Sequence, residues 1–370
     1  AASASARTSS SGSLELVSED LKYITLGEAA GHLPFEPSRA WRKSVIDNKR
    51  RGREYISTKG EGADRVIAVH QDGCSSGKTQ SLRAANLPRT VLSAANSAES
   101  PTATLVKREM QSWKLLQLEP SALREPDNFT APVQLASNGA HLPAMLFHLA
   151  NRPSEDGLDG AAIYTEVANR LAQLLDDAGS VHVDRDERRQ LLTLYATGRD
   201  GAQHPARALS DGTLRFLALT VLAIDPEARG VICMEEPENG LHPERIPAMI
   251  QLLSDLATNI KEAVSADSGN PLRQVIVNTH SPSVVMQVPE ESLILAEPVE
   301  VSLGGRPSRT VQFRCLPGTW RAKAGSPGGV SKGRLLAYLN PVAHQGRGGR
   351  RVVDREDIRQ YRIPVAAAGD

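Results

Sequence analysis

The stretch that decides the fold is VICMEEPENGLHP, residues 231–243. It begins with a short apolar run, residues 231–234, which follows Gly230 and has the length and composition of a buried β-strand. Two acids, Glu235 and Glu236, end this run, and Pro243 opens a segment with apolar residues at helical spacing. The stretch therefore predicts a strand, an acidic turn and a helix.

A second strand is predicted downstream at residues 274–279 (QVIVNT), and His280 follows it. A strand, a helix and a strand within about fifty residues form a parallel crossover unit. The carboxyl ends of adjacent parallel strands meet at one edge of the sheet, where α/β proteins bind ligands. We therefore expect Glu235, Glu236 and His280 to lie together. Because carboxylates are costly to desolvate without a counter-charge, a hard divalent ion such as Mg²⁺ is the natural partner for one of them.

Upstream of the deciding stretch, LSDGTLRF (209–216) predicts the start of an apolar helix. Ser210 is a typical residue for the N-cap of a helix, and apolar residues from Leu214 onward follow helical spacing. Pro226 limits the far end of this helix.

Each of these motifs also has a simple structural interpretation. Ser210 is commonly a helix cap and nothing more, a Glu-Glu pair after a strand is commonly a solvated turn, and a histidine before Ser-Pro is commonly a turn residue. Another interpretation is a metal cluster of Glu235, Glu236, Glu238 and His242. These acids lack the helical Glu-x-x-His spacing of carboxylate-bridged di-metal sites.

Three motifs occur together in one order: LSDGTLRF (209–216), VICMEEPENGLHP (231–243) and VIVNTHSP (275–282). In this order they resemble the signature, the Walker B segment with its D-loop, and the switch-histidine strand of ABC-type ATPase heads in the RecF/SMC/OLD-like group of AAA-type ATP-binding proteins. The resemblance implies an α/β P-loop NTPase fold, an ABC-ATPase-like head with a mostly helical lobe. It further implies binding of ATP and Mg²⁺, ATP hydrolysis, and a task in DNA repair, another DNA-related process or defence.

The resemblance implies a role for each residue at the predicted sheet edge. Glu235 takes the place of the Walker B carboxylate that holds Mg²⁺, where the family more often has Asp. Glu236 takes the place of the general base or water-orienting residue, and His280 would contact the γ-phosphate. This set of groups also makes physical sense, because phosphoryl transfer depends on positioning and charge stabilisation more than on covalent chemistry.

Further residues are implied to face a partner subunit. Ser210 and Gly212 would meet the γ-phosphate of ATP held by that partner, assisted by the positive end of the following helix. Asn239 falls in the D-loop, which in this family lies across the dimer interface. A homodimer or another head-to-head dimer is therefore expected.

A working head also requires a phosphate-binding loop of the form G-x-x-x-x-G-K-[ST]. The nearest match is DGCSSGKT, residues 72–79, in which Asp72 stands where the first glycine belongs. Counted from Gly73 to Thr79 the loop is one residue short, and the acid before it would face the anion that the loop has to bind. Two interpretations stay open: this loop is a degenerate phosphate loop, or the true loop lies upstream of the sequence.

The chain is divided into four predicted parts: a disordered tail (1–13), a mostly helical N-terminal lobe (14–204), the ATPase core (205–312) and a C-terminal extension (313–370). Within the lobe, the apolar spacing predicts mostly helix for residues 14–54, a strand for 65–70, and helices for 101–118, 142–150 and 163–176.

Composition limits the possible functions. The 370 residues carry 43 basic and 43 acidic side chains, which argues against a tail-like nucleic-acid binder. The 3 cysteines form no C-x-x-C pair, so no zinc or redox site is predicted and a cytoplasmic location is expected. No apolar run is long enough to span a membrane. Basic side chains are locally in excess at residues 39–53, from Arg39 to Arg53, beside Trp41, and could contact DNA phosphates.

Three hypotheses about function follow. The leading one is an ATP-hydrolysing head that dimerises around Mg-ATP. The alternative is a truncated or degenerate ATPase-fold module that binds its partners without hydrolysis. A third hypothesis is a nucleic-acid binder that works through the basic stretch without ATP.

Overall fold

The computed structural model describes residues 2–8, 14–46, 54–70, 72, 79–87, 89–152, 160–175, 177–265, 269–303, 306–325 and 329–339. Within these ranges, no helix combines the length and the apolar character that crossing a membrane requires. Most of the predicted C-terminal extension lies outside the described residues.

The first third of the chain forms an antiparallel sheet with short helices around it. Its elements are β1 (Ala2–Thr8), β2 (Leu14–Lys22), α1 (Ala29–His32), α2 (Arg39–Val45), β3 (Glu54–Lys59), β4 (Val66–Val69), β5 (Gln80–Arg83), α3 (Val91–Ala94) and α4 (Pro101–Gln111). The five strands lie side by side in chain order, each antiparallel to the next. A separate small core, which includes Ile56 and Ile67, lies against this sheet.

Two predictions for this region are wrong. The predicted disordered tail (1–13) contains β1, and the stretch predicted as mostly helical (14–54) begins with β2 and ends at the start of β3. Buried Glu19 in β2 accepts the N–H groups of Val91 and Leu92 at 2.6 and 2.7 Å, and burial raises the pKa of its carboxyl group. Contacts across such long sequence separations decide strand formation, and local apolar spacing does not report them.

The middle of the chain contains the main core. Its elements are β6 (Lys114–Leu116), α5 (Pro120–Arg124), β7 (Asp127–Asn128), α6 (Leu142–Asn151), α7 (Gly160–Leu174), β8 (Ala178–Asp186), β9 (Leu191–Gly198), β10 (Gln203–Pro205), α8 (Asp211–Ile224), β11 (Gly230–Glu235), α9 (Ile246–Leu256) and β12 (Arg273–Asn278). β12, β11 and β6 form a parallel sheet in that order, while β7 to β10 form a separate antiparallel sheet. The predicted parallel crossover from β11 through α9 to β12 is confirmed.

The predicted helix at residues 101–118 is too long. α4 ends at Gln111, and residues 114–116 form β6, which pairs with β11. The apolar residues at the end of this segment fit a helix face and a strand equally well, and the pairing with β11 decides between them. The predicted lobe is therefore mixed α/β rather than mostly helical. The strand predicted at 65–70 and the helices predicted at 142–150 and 163–176 are confirmed as β4, α6 and α7.

α8 is the central helix of the main core, with nearly every side chain of residues 212–222 buried. Arg273, the first residue of β12, closes the C-terminal ends of α8 and α9. Its guanidinium donates hydrogen bonds to the carbonyls of Ala223, Asp225 and Leu256 at 3.1, 2.7 and 3.5 Å. Helix ends carry carbonyls without helical partners, so this buried cation satisfies them. Burial lowers the pKa of Arg273 to about 10, and the side chain stays charged at neutral pH.

The C-terminal elements are α10 (Pro282–Gln287), β13 (Ile294–Leu303), β14 (Arg306–Cys315), α11 (Trp320–Lys323) and α12 (Lys332–Leu339). β13 and β14 form an antiparallel hairpin of their own. The predicted boundary between the core (205–312) and the extension (313–370) falls inside β14. The long register of this hairpin keeps both sides of that boundary in one structural unit.

Candidate functional site

The candidate site lies at the carboxyl edge of the parallel sheet. Glu235, the last residue of β11, is in register with Asn278, the last residue of β12. The backbone N–H of Glu236 donates to the Asn278 carbonyl oxygen at 2.8 Å, so the two chain segments stay together beyond the strands. His280 follows Asn278 closely in the sequence. The structure thus brings the ends of both strands, with Glu235, Glu236 and His280, to one edge.

Glu236 has an unusual backbone conformation. Its φ angle is 43°, in the left-handed region that residues with a side chain rarely adopt. A tight turn holds it there, because the Asn239 N–H donates to the Glu236 carbonyl at 3.0 Å and Asn239 Nδ2 donates to Glu236 Oε2 at 2.5 Å. Backbone strain of this kind is concentrated at functional sites. Asn239 therefore orients the Glu236 carboxylate of its own chain.

Gln117 is a site residue that the sequence analysis missed. It follows β6, the third strand of the parallel sheet, and its Nε2 donates to Glu235 Oε2 at 2.6 Å. The predicted helix over 101–118 concealed it, because a residue within a helix is not expected at a sheet edge. The available signal was the short apolar run before Gln117, which is compatible with a buried strand.

The carboxyl edge suits a Mg²⁺ ion that takes most of its ligands from water molecules and phosphate oxygens. Glu235 is exposed, and its second carboxylate oxygen accepts no hydrogen bond from a described residue. No group of three or more His, Cys, Asp or Glu side chains in the described ranges could hold a metal by itself. Mg²⁺ is commonly bound through one or two carboxylates plus substrate phosphates, which matches this sparse donor set. The interpretation of Glu235, Glu236, Glu238 and His242 as a metal cluster is wrong.

Glu238 serves the neighbouring loop instead. Its side chain is 8% exposed, and one oxygen accepts a hydrogen bond from the Thr279 hydroxyl. The Thr279 hydroxyl oxygen in turn accepts the Ser281 N–H at 3.0 Å. These contacts hold the residues on both sides of His280. The His280 side chain is exposed and makes no hydrogen bond or ion pair with a described residue, so it is available to a ligand.

Ser210 caps α8, as the sequence predicts. Its Oγ accepts the Thr213 N–H at 3.2 Å and lies 2.7 Å from the Thr213 hydroxyl. The neighbouring carboxylate of Asp211 pairs with Arg124 at 2.6 Å, and Arg124 also donates to the Leu209 carbonyl at 3.0 Å. Arg124 therefore neutralises the acid beside the helix N-terminus, which keeps that end favourable for an anion.

Gly212 lies where α8 meets the turn after β11. A Cβ on this residue would come 2.6 Å from Leu241 Cδ2 and 2.7 Å from the Gly240 carbonyl oxygen, closer than packed atoms allow. Arg215, one turn further along α8, donates hydrogen bonds to the Asn239 carbonyl and, at 3.1 Å, to the Leu118 carbonyl. α8 is therefore in direct contact with the turn that orients Glu236.

The candidate phosphate loop lies outside the expected structural context. Residues 73–78 are outside the described ranges, but the strands on either side, β4 and β5, pair antiparallel with each other. A phosphate loop instead joins a strand to the N-terminus of a helix. The described elements on either side of residues 73–78 are therefore two antiparallel strands, which differs from the strand-to-helix context of a phosphate loop.

The fold and the site together define a class of protein. The match to an AAA-domain family assigns this chain to the AAA-type ATPase domains, with an α/β P-loop NTPase fold whose parallel sheet carries two carboxylates at its carboxyl edge. Residues 35–286 match the family described as "AAA domain, putative AbiEii toxin, Type IV TA system". The match spans more than half of the chain, and the chain belongs to this family. The predicted fold class is confirmed. No curated protein matches the chain.

Solved structures of SMC proteins are similar to parts of the chain. The Smc head domain with coiled coil and joint from Pyrococcus yayanosii is 11% identical, with a TM-score of 0.29 over 49% of this chain and 29% of that chain. A structure described as "ATP-driven dimerization and DNA stimulated activation of SMC ATPases" is 12% identical, with a TM-score of 0.29 over 49% of this chain and 91% of that one. The SMC head domain from Thermotoga maritima is 7% identical, with a TM-score of 0.26 over 73% and 78%. The chain thus spans less than a third of the Pyrococcus chain.

Proposed function

We propose that this chain is an ATP-hydrolysing head that works as a dimer closed around Mg-ATP. The observation that carries the proposal is the position of Glu235 and Glu236 at the carboxyl edge of the sheet, with Glu236 held in a left-handed turn. The family supplies the general ATPase character. The geometry supports a division of roles among the residues of this edge.

Glu236 is the proposed catalytic carboxylate. It accepts a hydrogen bond from a water molecule and orients that water toward the γ-phosphorus of ATP. The new phosphorus–oxygen bond forms as the bond to the β,γ-bridging oxygen breaks, which releases ADP and phosphate. His280, exposed and flanked by the Glu238–Thr279 contact, donates a hydrogen bond to a γ-phosphate oxygen. Both roles are positional and electrostatic, as phosphoryl transfer requires.

Glu235 and Gln117 are the proposed residues for the metal. Glu235 offers a carboxylate oxygen, and Gln117 fixes the direction of that carboxylate through its amide. A bound Mg²⁺ ion would supply charge neutralisation for the β- and γ-phosphates. The longer side chain of Glu235, compared with the more common Asp, is accommodated because Gln117 limits its freedom.

The dimer is the proposed place of action for Ser210, Gly212 and Asn239. Ser210 is exposed at the start of a 14-residue helix, where backbone N–H groups and the helix dipole favour an anion from outside the chain. The contact between Gly212 and the turn that contains Asn239 links the partner's phosphate to Glu236. Closure of the dimer around ATP would thus affect the position of the Glu236 carboxylate.

A specific observation favours a second candidate, a module that binds its partners without hydrolysis. The only near match to a phosphate loop in the sequence lies between the antiparallel strands β4 and β5. An ATP titration of the chain separates the two candidates. Micromolar binding that is lost in Lys78→Ala would mean that this loop holds phosphate after all, and absence of ATP binding would favour the nonhydrolytic module.

The proposed biological task is DNA-related or defensive. The family's description names the AbiEii toxin and a type IV toxin–antitoxin system, which is in line with a defence role. Contact with DNA is proposed through the basic stretch from Arg39 to Arg53, of which Arg39, Arg42 and Lys43 lie on α2. Binding that weakens steeply with salt and disappears on charge reversal in this stretch is the expected behaviour.

The decisive experiment for the proposed function is Glu236→Gln in the whole chain. Loss of the carboxylate is expected to slow ATP hydrolysis roughly 100- to 10,000-fold while nucleotide binding persists. The variant should accumulate as a dimer with ATP and Mg²⁺, measured by light scattering after gel filtration. Glu187→Gln, an exposed acid in the β8–β9 turn, is the matched control and should behave as the parent chain. No gain in dimer or in ATP occupancy for Glu236→Gln would contradict the proposal.

A further inference from the structure

All 3 tryptophans of the chain line one cavity, at the amino edge of the parallel sheet. This edge is opposite the candidate ATP site, about 17 Å away along β11 at the usual rise per strand residue. The cavity volume is about 640 Å³, which is in the range of small-molecule binding sites. Trp41, Trp113 and Trp320 share its wall with Phe35.

The aromatic rings contact one another. The centroid of Phe35 lies 5.6 Å from that of Trp41, at an angle of 74°, and 5.9 Å from that of Trp320. Arg321 covers one face of Trp320, with its guanidinium carbon 4.2 Å from the ring centroid. Trp113 is 49% exposed, so part of its surface is accessible from solvent. The cavity therefore has flat, apolar walls and an open side.

Two backbone features hold these rings in place. Gly230, with a φ angle of 79°, lets the end of α4 approach β11, since a Cβ there would come 2.9 Å from Glu109 Oε1 and 3.4 Å from Trp113 Cδ1. On the other side, Ser38 caps α2 by accepting the Trp41 N–H at 3.0 Å, and its own N–H donates to the Ile260 carbonyl at 2.9 Å. Both tryptophans are thereby fixed relative to the sheet.

Some polar groups of the cavity wall have no partner in the described part of the chain, whereas Arg273 and Thr258 are paired. The side chains of Glu109, Glu291 and Gln274 make no hydrogen bond or ion pair with a described residue. Trp41 is 5% exposed, and its indole N–H has no acceptor among the described residues. The three side chains are exposed to solvent, whereas the unpaired indole N–H of Trp41 is buried at a cost in free energy, which a ligand with an acceptor at this point would recover.

Basic side chains lie on the helix that carries Trp41, although they do not line the cavity. Arg39, Arg42 and Lys43 are exposed on α2, within one helical turn of Trp41. They provide positive charge close to an aromatic cavity whose own unpaired groups are mostly acceptors. A ligand that fits both features has a flat ring with N–H donors and an attached anionic group.

We propose that this cavity binds an unpaired nucleobase, with the adjoining phosphates contacted by α2. A base stacks on aromatic side chains whatever its identity, and its amino and carbonyl groups pair with carboxylate and amide side chains. An organic cation would use the rings and the carboxylates but would gain nothing from Arg42 and Lys43. The inference gives the proposed DNA-related task a site, and it is independent of ATP hydrolysis.

The tryptophans themselves provide the measurement, because every one of them lines the cavity. We expect a single-stranded 12-nucleotide oligonucleotide to quench the tryptophan fluorescence of the whole chain. An abasic oligonucleotide of the same length and charge should bind at least tenfold more weakly. Nucleoside monophosphates form the third arm: quenching by these alone assigns the cavity to a free nucleotide rather than a nucleic-acid strand.

Variants separate stacking from charge. Trp113→Ala, at an exposed position, should weaken oligonucleotide binding about tenfold by loss of one stacking face. Phe313→Ala, a 64% exposed aromatic outside the cavity, is the matched control and should change nothing. Arg42→Glu should weaken binding of the oligonucleotide more than that of a monophosphate. Trp320→Phe, which keeps a ring, should retain most of the affinity.

Two results would overturn the inference. Equal affinity for the normal and the abasic oligonucleotide would mean that α2 binds phosphate and the cavity binds no base. Absence of quenching in all three arms would remove the nucleic-acid contact as well. Glu236→Gln should leave the tryptophan quenching unchanged, because the cavity is distant from Glu236. The ATPase proposal and the nucleobase proposal can therefore fail independently of each other.

Discussion

The two edges of the parallel sheet are built in opposite ways. At the carboxyl edge, Glu235 and His280 are exposed, and Glu236 is held in a strained turn. At the amino edge, Arg273 is buried, and its guanidinium satisfies carbonyls at the ends of two helices. The charged groups of the first edge are therefore open to a ligand, whereas Arg273 at the second edge is buried and holds the helices in place beside the tryptophan cavity.

This difference between the edges shows how charged residues that bind a ligand are distinguished from charged residues that stabilise the fold. A buried cation with several carbonyl partners is a structural residue despite its shifted pKa. An exposed carboxylate with a single amide partner has unused capacity and accepts a ligand at little cost in stability. Substitutions at the two edges should therefore affect different measurements.

The largest effect is expected at the amino edge, for Arg273→Met. Removal of the guanidinium leaves helix-end carbonyls unsatisfied, and the free energy of unfolding should fall by about 3 kcal/mol. Urea unfolding followed by circular dichroism measures the loss. Arg229→Met, at an exposed arginine nearby in the sequence, is the control and should cost no more than about 0.5 kcal/mol. An equal loss of unfolding free energy in both variants would mean that Arg273 has no special structural role at the amino edge.

An intermediate effect is expected at the carboxyl edge, for Gly212→Ala. The new methyl group would overlap the Gly240 carbonyl and Leu241, so α8 and the turn must separate at a cost of about 2 kcal/mol. Thermal unfolding measures this, with Gly27→Ala, where nothing lies within 4 Å, as the control. An unchanged stability would mean that Gly212 acts only on a partner's nucleotide. The carboxyl edge would then have a functional role and no structural one.

The smallest effect on stability is expected for Arg215→Lys. The ammonium group cannot keep both carbonyl contacts, of Asn239 and Leu118, and the loss should be about 1 kcal/mol. Because Arg215 acts on Glu236 through Asn239, ATP turnover should fall about tenfold with little change in KM, since a tenfold rate change corresponds to about 1.4 kcal/mol. Arg207→Lys is the control. A change in KM alone would show that Arg215 contributes to nucleotide binding instead.

The carboxyl edge could be anticipated from the sequence to an unusual degree. The strands that carry Glu235 and His280 are short, apolar and bounded by clear turn residues, and the helix between them has strong apolar periodicity. Local patterns of this kind survive in the folded chain, because the strands are neighbours in the sequence and pair with each other. Ser210 was recognised for the same reason, since a cap acts on the residues that follow it.

The remaining features depend on contacts that no local pattern contains. β2 was mistaken for helix because its partner strands and the groups that Glu19 binds are far away in the chain. Gln117 was missed because β6 becomes a strand only through its pairing with β11. The aromatic cavity was also hidden, since Trp41, Trp113 and Trp320 are separated by long stretches of unrelated sequence.

The pairing of β6 with β11 has a consequence for the order of events during synthesis. Gln117 and Glu235, which meet at the candidate metal site, are 118 positions apart. At ordinary rates of translation, roughly 6 to 24 seconds pass between the appearance of these residues. The N-terminal hairpins can pair during that interval, while β6 has to wait for its neighbour. The candidate site thus assembles only after β11 and β12 have been synthesised, later than the N-terminal hairpins.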